Sequence, residues 1–176
     1  MAIEIIVEDG TGKANSNSYV SIADLISFAA LYQTELTDDD STASLLIQAA
    51  DYIESKSYKG SKANSNQAMK WPRKEAYINC EDDEELYPSN SIPVEIKKAQ
   101  LQCALAVSNG VSLMPTVTAA DYVLEETIGP ITTKYADAAE YGLSYAPNLP
   151  IVDSLLSCLT NSNRPGLFRT VRGGYG

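Results

Sequence analysis

The sequence predicts a mainly α fold: a compact bundle of about four helices with a small β-hairpin, an extended N-terminal arm and a C-terminal tail. Apolar residues recur at helical spacing in four segments, and each segment begins with residues that favour a helix start. Two β-rich runs around a glycine lie between the third and fourth segments. With 176 residues, 44% of them hydrophobic and 20% charged, the chain suits one domain with a buried core.

The N-terminal part is expected to contain an arm and two helices. Ile3–Val7 is rich in β-formers and is followed by breaking glycines, which indicates a short strand or an extended arm. Ser21 is the expected N-cap of the first helix, and Asp24 completes a capping box. The second helix is expected to begin at Thr37, because three aspartates then lie in its first turn and favour the helix dipole. The apolar stripe of this helix comprises Leu45, Leu46, Ala49 and Ile53.

Residues 55–74 are predicted to form an exposed basic loop. No acidic residue lies among the cations of this stretch, which are Lys56, Lys59, Lys62, Lys70, Arg73 and Lys74. Pro72 keeps Trp71 out of helical geometry, and the indole is expected to pin the loop to the body. The following run, Glu81–Glu85, carries the opposite charge and is expected to be solvated.

The C-terminal half is expected to contain the central helix, the hairpin and a short last helix. Pro93 opens the third helix, which is apolar nearly all round and ends at Gly110. The hairpin belongs to a β element over residues 120–136. The last helix follows Pro150, with Ile151, Leu155, Leu156 and Leu159 as its apolar residues. We therefore place a helical domain over residues 1–160 and a flexible basic tail over residues 161–176.

Composition excludes several classes of function. The chain has no histidine, which removes the usual proton shuttle, the usual triads and the commonest metal ligand. A net charge of −10 disfavours a protein that coats nucleic acid. Cys80, Cys103 and Cys158 are odd in number and far apart, so reduced, mostly buried thiols are expected. No segment has the length of a membrane span, and use in the cytoplasm without membrane contact is expected.

No motif in the chain predicts a catalytic, metal or cofactor site. Gly10-Thr11-Gly12-Lys13 resembles part of a phosphate loop, but Val7 and Ala14 stand where that pattern needs Gly and Ser or Thr, so a turn is expected. The three aspartates at 38–40 lack the glycine and the distal glutamate of a calcium loop. The acidic run Glu81–Glu85 could hold a divalent ion weakly, but like-charged loops of this kind are usually only solvated. We expect a protein that is not an enzyme and has no cofactor. A metal-dependent enzyme of an unfamiliar type remains an alternative to this expectation.

The basic loop has two interpretations. It combines cations with Tyr58 and Trp71, as platforms that stack single-stranded DNA do. The alternative is that a basic loop on an acidic protein meets acidic partners, including another copy of the same chain.

Four phrases carry a family resemblance by their order and spacing. They are 8–21 (EDGTGKANSNSYVS), 47–53 (IQAADYI), 67–73 (QAMKWPR) and 92–99 (IPVEIKKA). Together the phrases resemble a family of phage head-to-tail connector adaptors that often carry the label "DnaT-like single-stranded DNA-binding". The resemblance extends from about Glu8 to Leu156.

The resemblance implies a structural protein of the virion neck, assembled in the host cytoplasm. Members of this family form a ring under the portal protein and above a downstream neck or tail-completion protein. For this chain the resemblance implies a ring of twelve subunits. Genomic DNA passes through the ring without sequence-specific binding. The resemblance implies that the portal-binding tail comprises Arg164, Leu167, Phe168, Arg169, Arg172 and Tyr175.

A closed ring needs two different, complementary patches on each subunit, and the basic and acidic stretches provide them. The predicted subunit contacts are Lys59, Lys62, Lys70, Trp71 and Arg73 against Glu81, Asp82, Asp83, Glu84 and Glu85 of the next copy. The alternative function is single-stranded DNA binding through the basic loop at 55–74.

Overall fold

Four helices and two short antiparallel strand pairs form the regular elements of the computed structural model, which describes residues 2–77, 85–114, 125–128, 131–134 and 149–161. The elements are α1 (Ile22–Ala30), α2 (Asp40–Ser55), β1 (Ser61–Lys62), β2 (Arg73–Lys74), α3 (Val94–Ser108), β3 (Glu125–Ile128), β4 (Ile131–Lys134) and α4 (Pro150–Leu156). This inventory confirms the mainly α prediction with a small hairpin.

Helix α1 begins as predicted, and α2 begins later than predicted. The Ser21 hydroxyl accepts from the Asp24 amide and the Asp24 side chain reaches back to Ser21, so the capping box is present. In α2 the N-cap is Asp39, whose carboxylate accepts from the amides of Ser41 and Thr42. The start predicted at Thr37 is therefore wrong, since a capping residue lies outside the helix that it caps.

Helix α3 is central, as its apolar composition predicted. It packs mainly against α2 and α4 and also touches α1. A buried glutamine that the sequence pattern did not reveal joins these layers: the Gln100 side chain donates to the Ser18 hydroxyl at 2.9 Å and to the Leu46 carbonyl at 3.0 Å, and accepts from the Tyr19 amide at 2.8 Å. Each polar group of the Gln100 side chain has a hydrogen-bond partner, so its burial leaves no donor or acceptor unsatisfied.

The hairpin is confirmed where the structure describes it. Strands β3 and β4 pair antiparallel, with Glu125 opposite Lys134 and Ile128 opposite Ile131. The rest of the β element predicted over residues 120–136 lies outside the described residues.

Helix α4 buries only part of the predicted stripe. Val152, Leu156 and Leu159 are buried, whereas Ile151 is 62% exposed. The proposed stripe is wrong at Ile151, because α4 packs on α3 through Val152 and Leu156, which are one helical turn apart.

The N-terminal arm is extended, and Asn17 holds it to the body. The Asn17 side chain accepts from the Ile6 amide at 2.8 Å and donates to the Glu4 carbonyl at 2.9 Å, while its own amide donates to the Ile6 carbonyl. One parallel bridge joins Val7 to Ser18. The arm is thus held by polar pairing, together with the partly buried Ile5 side chain, which packs against the core.

The cysteines do not all match the expectation of reduced thiols. Cys103 is a free, buried thiol, and burial raises its pKa to about 12. Cys158 is disulfide-bonded, which contradicts the expectation for this residue. Cys80 lies outside the described residues.

A hydrogen-bonded cluster joins three distant parts of the chain. The Tyr19 hydroxyl donates to the Glu54 carboxylate and accepts from the Trp71 amide at 3.1 Å. The same carboxylate accepts from the Lys70 amide at 2.7 Å. Tyr19 and Trp71 are buried, and burial raises the pKa of Glu54 above its ordinary value of 4.5. This cluster fastens residues 70–71 to α2.

We expect Glu54→Gln to change how stability depends on pH. Since the pKa of Glu54 is higher in the folded than in the unfolded chain, the folded state binds more protons, and stability falls as pH rises from about 4.5 through the folded-state pKa. The variant lacks this titration and should lose less stability over that interval. Urea unfolding at a series of pH values measures the difference.

Asp51→Asn is the matched control, because Asp51 is an exposed carboxylate on the same helix. A stability profile of Glu54→Gln that runs parallel to that of the wild type across the interval would contradict the assignment.

Candidate interaction surfaces

The basic stretch at 55–74, called here the basic segment, directs much of its charge inward. Arg73 is buried, and its guanidinium donates to the carbonyls of Lys59 at 2.6 Å, Gly60 at 2.5 Å and Lys70 at 3.1 Å. It thus joins the two ends of the segment. The prediction of an exposed loop is wrong at Arg73. Its guanidinium lies inside the turn and supplies hydrogen-bond donors to backbone carbonyl groups there.

Several lysines of the basic segment also have internal partners. The Lys70 ammonium donates to the Lys56 carbonyl at 2.7 Å, and the Lys62 ammonium to the Gln67 carbonyl at 3.2 Å. Lys56 donates to the Tyr52 hydroxyl at 2.9 Å and lies 3.8 Å from the Asp153 carboxylate. Lys62 remains exposed in spite of its contact, so part of the positive charge still faces solvent.

The two aromatic residues of the predicted stacking platform are buried. Trp71 is 0% exposed and Tyr58 is 5% exposed. The Trp71 ring meets Tyr58 and Tyr87 edge to face, with both centroid distances at 5.9 Å. The Tyr58 hydroxyl donates to the Ile53 carbonyl at 2.9 Å. The indole pins the segment as predicted, but neither ring is open to a nucleobase, so a stacking role for this pair is wrong.

The predicted acidic partner of the basic segment is described at only one residue. Glu85 is exposed, and residues 81–84 lie outside the described residues. The pairing between the two stretches therefore stays a prediction, as do the portal contacts at Arg164, Leu167, Phe168, Arg169, Arg172 and Tyr175, which also lie outside. Trp71 is fully buried and Arg73 is nearly so, which speaks against direct contact of these two predicted residues with a neighbouring subunit.

The loop that resembled a phosphate site binds a carboxylate of its own chain. Buried Glu8 accepts from the amides of Gly10 and Gly12 at 2.9 Å and of Lys13 at 2.7 Å, and from the Ser16 hydroxyl at 3.1 Å. Gly10 has φ +103°, and a Cβ there would lie 2.2 Å from the Asn90 carbonyl oxygen. The amides that would receive a phosphate are thus occupied, which confirms a structural turn.

An apolar groove runs between α3 and α4 beside the end of α1. It encloses about 360 Å³, and the residues that define it best are Tyr32, Gln102, Leu105, Ala106, Leu149 and Ile151. Tyr32 and Ile151 are more than half exposed. Leu31, which directly precedes Tyr32, is 79% exposed. The sequence offered one signal for this surface: Leu31 and Tyr32 are large apolar residues directly after the last turn of α1.

One sequence family matches the chain along nearly its whole length. Its description is "Putative DnaT-like ssDNA binding protein", and the match covers residues 3–173. The chain belongs to this DnaT-like family. No curated protein and no solved structure gave a significant match.

The described part of this DnaT-like protein has neither a metal-ligand cluster nor a membrane-spanning helix. Among residues 2–77, 85–114, 125–128, 131–134 and 149–161, no three or more His, Cys, Asp or Glu side chains group as metal ligands would. Over the same residues, no helix is both long enough and apolar enough to cross a membrane.

We expect Glu8→Gln to destabilise the folded protein by at least about 2 kcal/mol. The glutamine amide group would turn a donor towards backbone donors that the carboxylate now satisfies. Urea unfolding measures the loss. Asp9→Asn is the matched control, because the Asp9 carboxylate is exposed beside the same turn and should matter much less. Equal losses in the two variants would contradict the anchoring role of Glu8.

Proposed function

We propose that this DnaT-like protein is a structural head-to-tail adaptor of a tailed phage, not an enzyme. It forms a ring, of twelve subunits by the resemblance, under the portal and above a downstream neck or tail-completion protein. The observation that carries the proposal is the uncharged apolar groove between α3 and α4, with exposed Tyr32 and Ile151 on its sides. Apolar surface that remains open on a folded subunit is typical of proteins that work in assemblies.

The charge distribution supports a conduit better than a DNA-coating surface. The chain has a net charge of −10 and includes a segment whose basic side chains bond partly to its own carbonyl groups. An acidic channel wall lets DNA pass without adhering. In this proposal the protein acts in the neck of the virion and assembles in the host cytoplasm.

Contacts between subunits follow from the charges that stay accessible. Lys62 and Lys74 are exposed and Lys59 is half-buried; Lys62 lies in β1, Lys74 lies in β2, and Lys59 precedes β1 by two residues. In the proposed ring these lysines meet the acidic run 81–85 of the next subunit, an arrangement of two unlike patches that closes a ring. The basic residues of the tail meet the portal.

Single-stranded DNA binding is the second candidate, and the family description favours it. With Tyr58 and Trp71 buried, such binding would rest on the accessible lysines of the basic segment and on backbone phosphates. It would therefore be electrostatic and not dependent on base stacking.

The adaptor proposal predicts an added ring at one end of the portal. Negative-stain electron microscopy of the protein mixed with the portal protein of the same phage is the measurement. Lys59→Glu with Lys62→Glu should impair ring formation, whereas Lys97→Glu with Lys98→Glu, the same charge change on the exposed face of α3, should not. Intact portals without added density, in the presence of folded protein, would refute the proposal.

The second candidate predicts binding to a labelled single-stranded oligonucleotide, with affinity falling steeply between about 50 mM and 200 mM salt. Fluorescence anisotropy measures it, and Lys59→Glu with Lys62→Glu should abolish it while the double change on α3 preserves it. If the wild type shows no binding even at the lower salt concentration, the DNA-binding candidate is excluded.

A further inference from the structure

The groove between α3 and α4 has a chemistry that selects its occupant. None of the residues that line the groove carries a charge, and they include Tyr32, Leu105, Ala106, Val111 and Ile151. The groove thus suits a segment that supplies one or two large apolar side chains.

The C-terminal segment of the chain has this composition. Between residues 162 and 176 it places Leu167 and Phe168 next to each other, with Arg169 directly after them, and it contains no acidic residue. Its charge is +3, from its three arginines. Since the whole chain has a net charge of −10, the preceding residues carry a net charge of −13. We propose that Leu167 and Phe168 of the same chain dock in this groove.

The reach of the chain supports docking within one molecule. The described structure ends at Asn161, whose amide donates to the Ser57 carbonyl at 2.8 Å. The Thr160 amide donates to the Leu156 carbonyl, so the end stays within one turn of the end of α4. The groove lies at the first residues of α4, and the two ends of this helix are about 9 Å apart. Six residues from 161 to 167 can span about 20 Å, which is sufficient.

This docking would cover Ile151 and Tyr32 in the isolated subunit, and the segment would leave the groove when a protein partner binds there or when the tail meets the portal. Burying an aromatic side chain against them supplies the favourable free energy. The inference does not rest on the proposed adaptor function, because it concerns contacts within one chain.

Site-specific photocrosslinking of the full-length protein tests the docking. p-Benzoylphenylalanine replaces Phe168, and mass spectrometry locates the crosslinks after irradiation. An equal mixture of ¹⁵N-labelled and unlabelled chains separates crosslinks within a chain from those between chains. We expect crosslinks within one chain to groove residues such as Leu105 and Ile151.

Two substitutions on the body make the test specific. Ile151→Asp places a charge in the groove and should lower the crosslink yield about tenfold or more, because docking no longer buries apolar surface there. Val94→Asp is the matched control: Val94 is 58% exposed in the first turn of α3 and does not line the groove. It should leave the yield unchanged.

The wild-type crosslink map decides the question even if a variant fails to fold. Crosslinks confined to other surfaces, crosslinks only between chains, or no crosslinks would each overturn the proposal. So would an undiminished yield in folded Ile151→Asp.

Discussion

The hydrogen-bonded cluster of Tyr19, Glu54 and the backbone at residues 70–71 is the constraint on which the rest of the structure depends. Its members come from the segment before α1, from α2 and from the basic segment, so three parts of the chain that are far apart in sequence share one carboxylate. The cluster holds the Trp71 indole where it meets Tyr58 and Tyr87. A buried polar cluster of this kind specifies a single arrangement, because every alternative leaves a donor or acceptor without a partner.

That constraint changes the chemistry of the basic segment. Once Trp71 is buried, the chain around it must turn sharply, and the carbonyls of the turn need donors. Arg73 and Lys70 supply these donors from within the segment. Cations that look available for nucleic acid in the sequence therefore serve the fold first, and the charge that remains outside is smaller than the count of lysines and arginines indicates.

The family description and the geometry favour different functions, and each function uses a different surface. The description names binding of single-stranded DNA, whereas the buried aromatic rings leave only an electrostatic route to it. The open apolar groove, with exposed Ile151 and Tyr32, favours contact with protein. The decisive difference is whether the apolar surface or the basic surface is the one that partners cover.

The sequence by itself determined the helices, the capping box at Ser21 and the hairpin, because these depend on local periodicity and on residues close along the chain. It also indicated that Trp71 is an anchor, but not the distant residues that hold the indole. Tertiary structure alone decided where the polar side chains go. Glu8 could be read as a loop carboxylate, Arg73 as a surface cation and Ile151 as a core residue until packing placed the first two inside and the third outside. Burial of a polar group depends on partners from distant segments, and no periodicity within one segment encodes those partners.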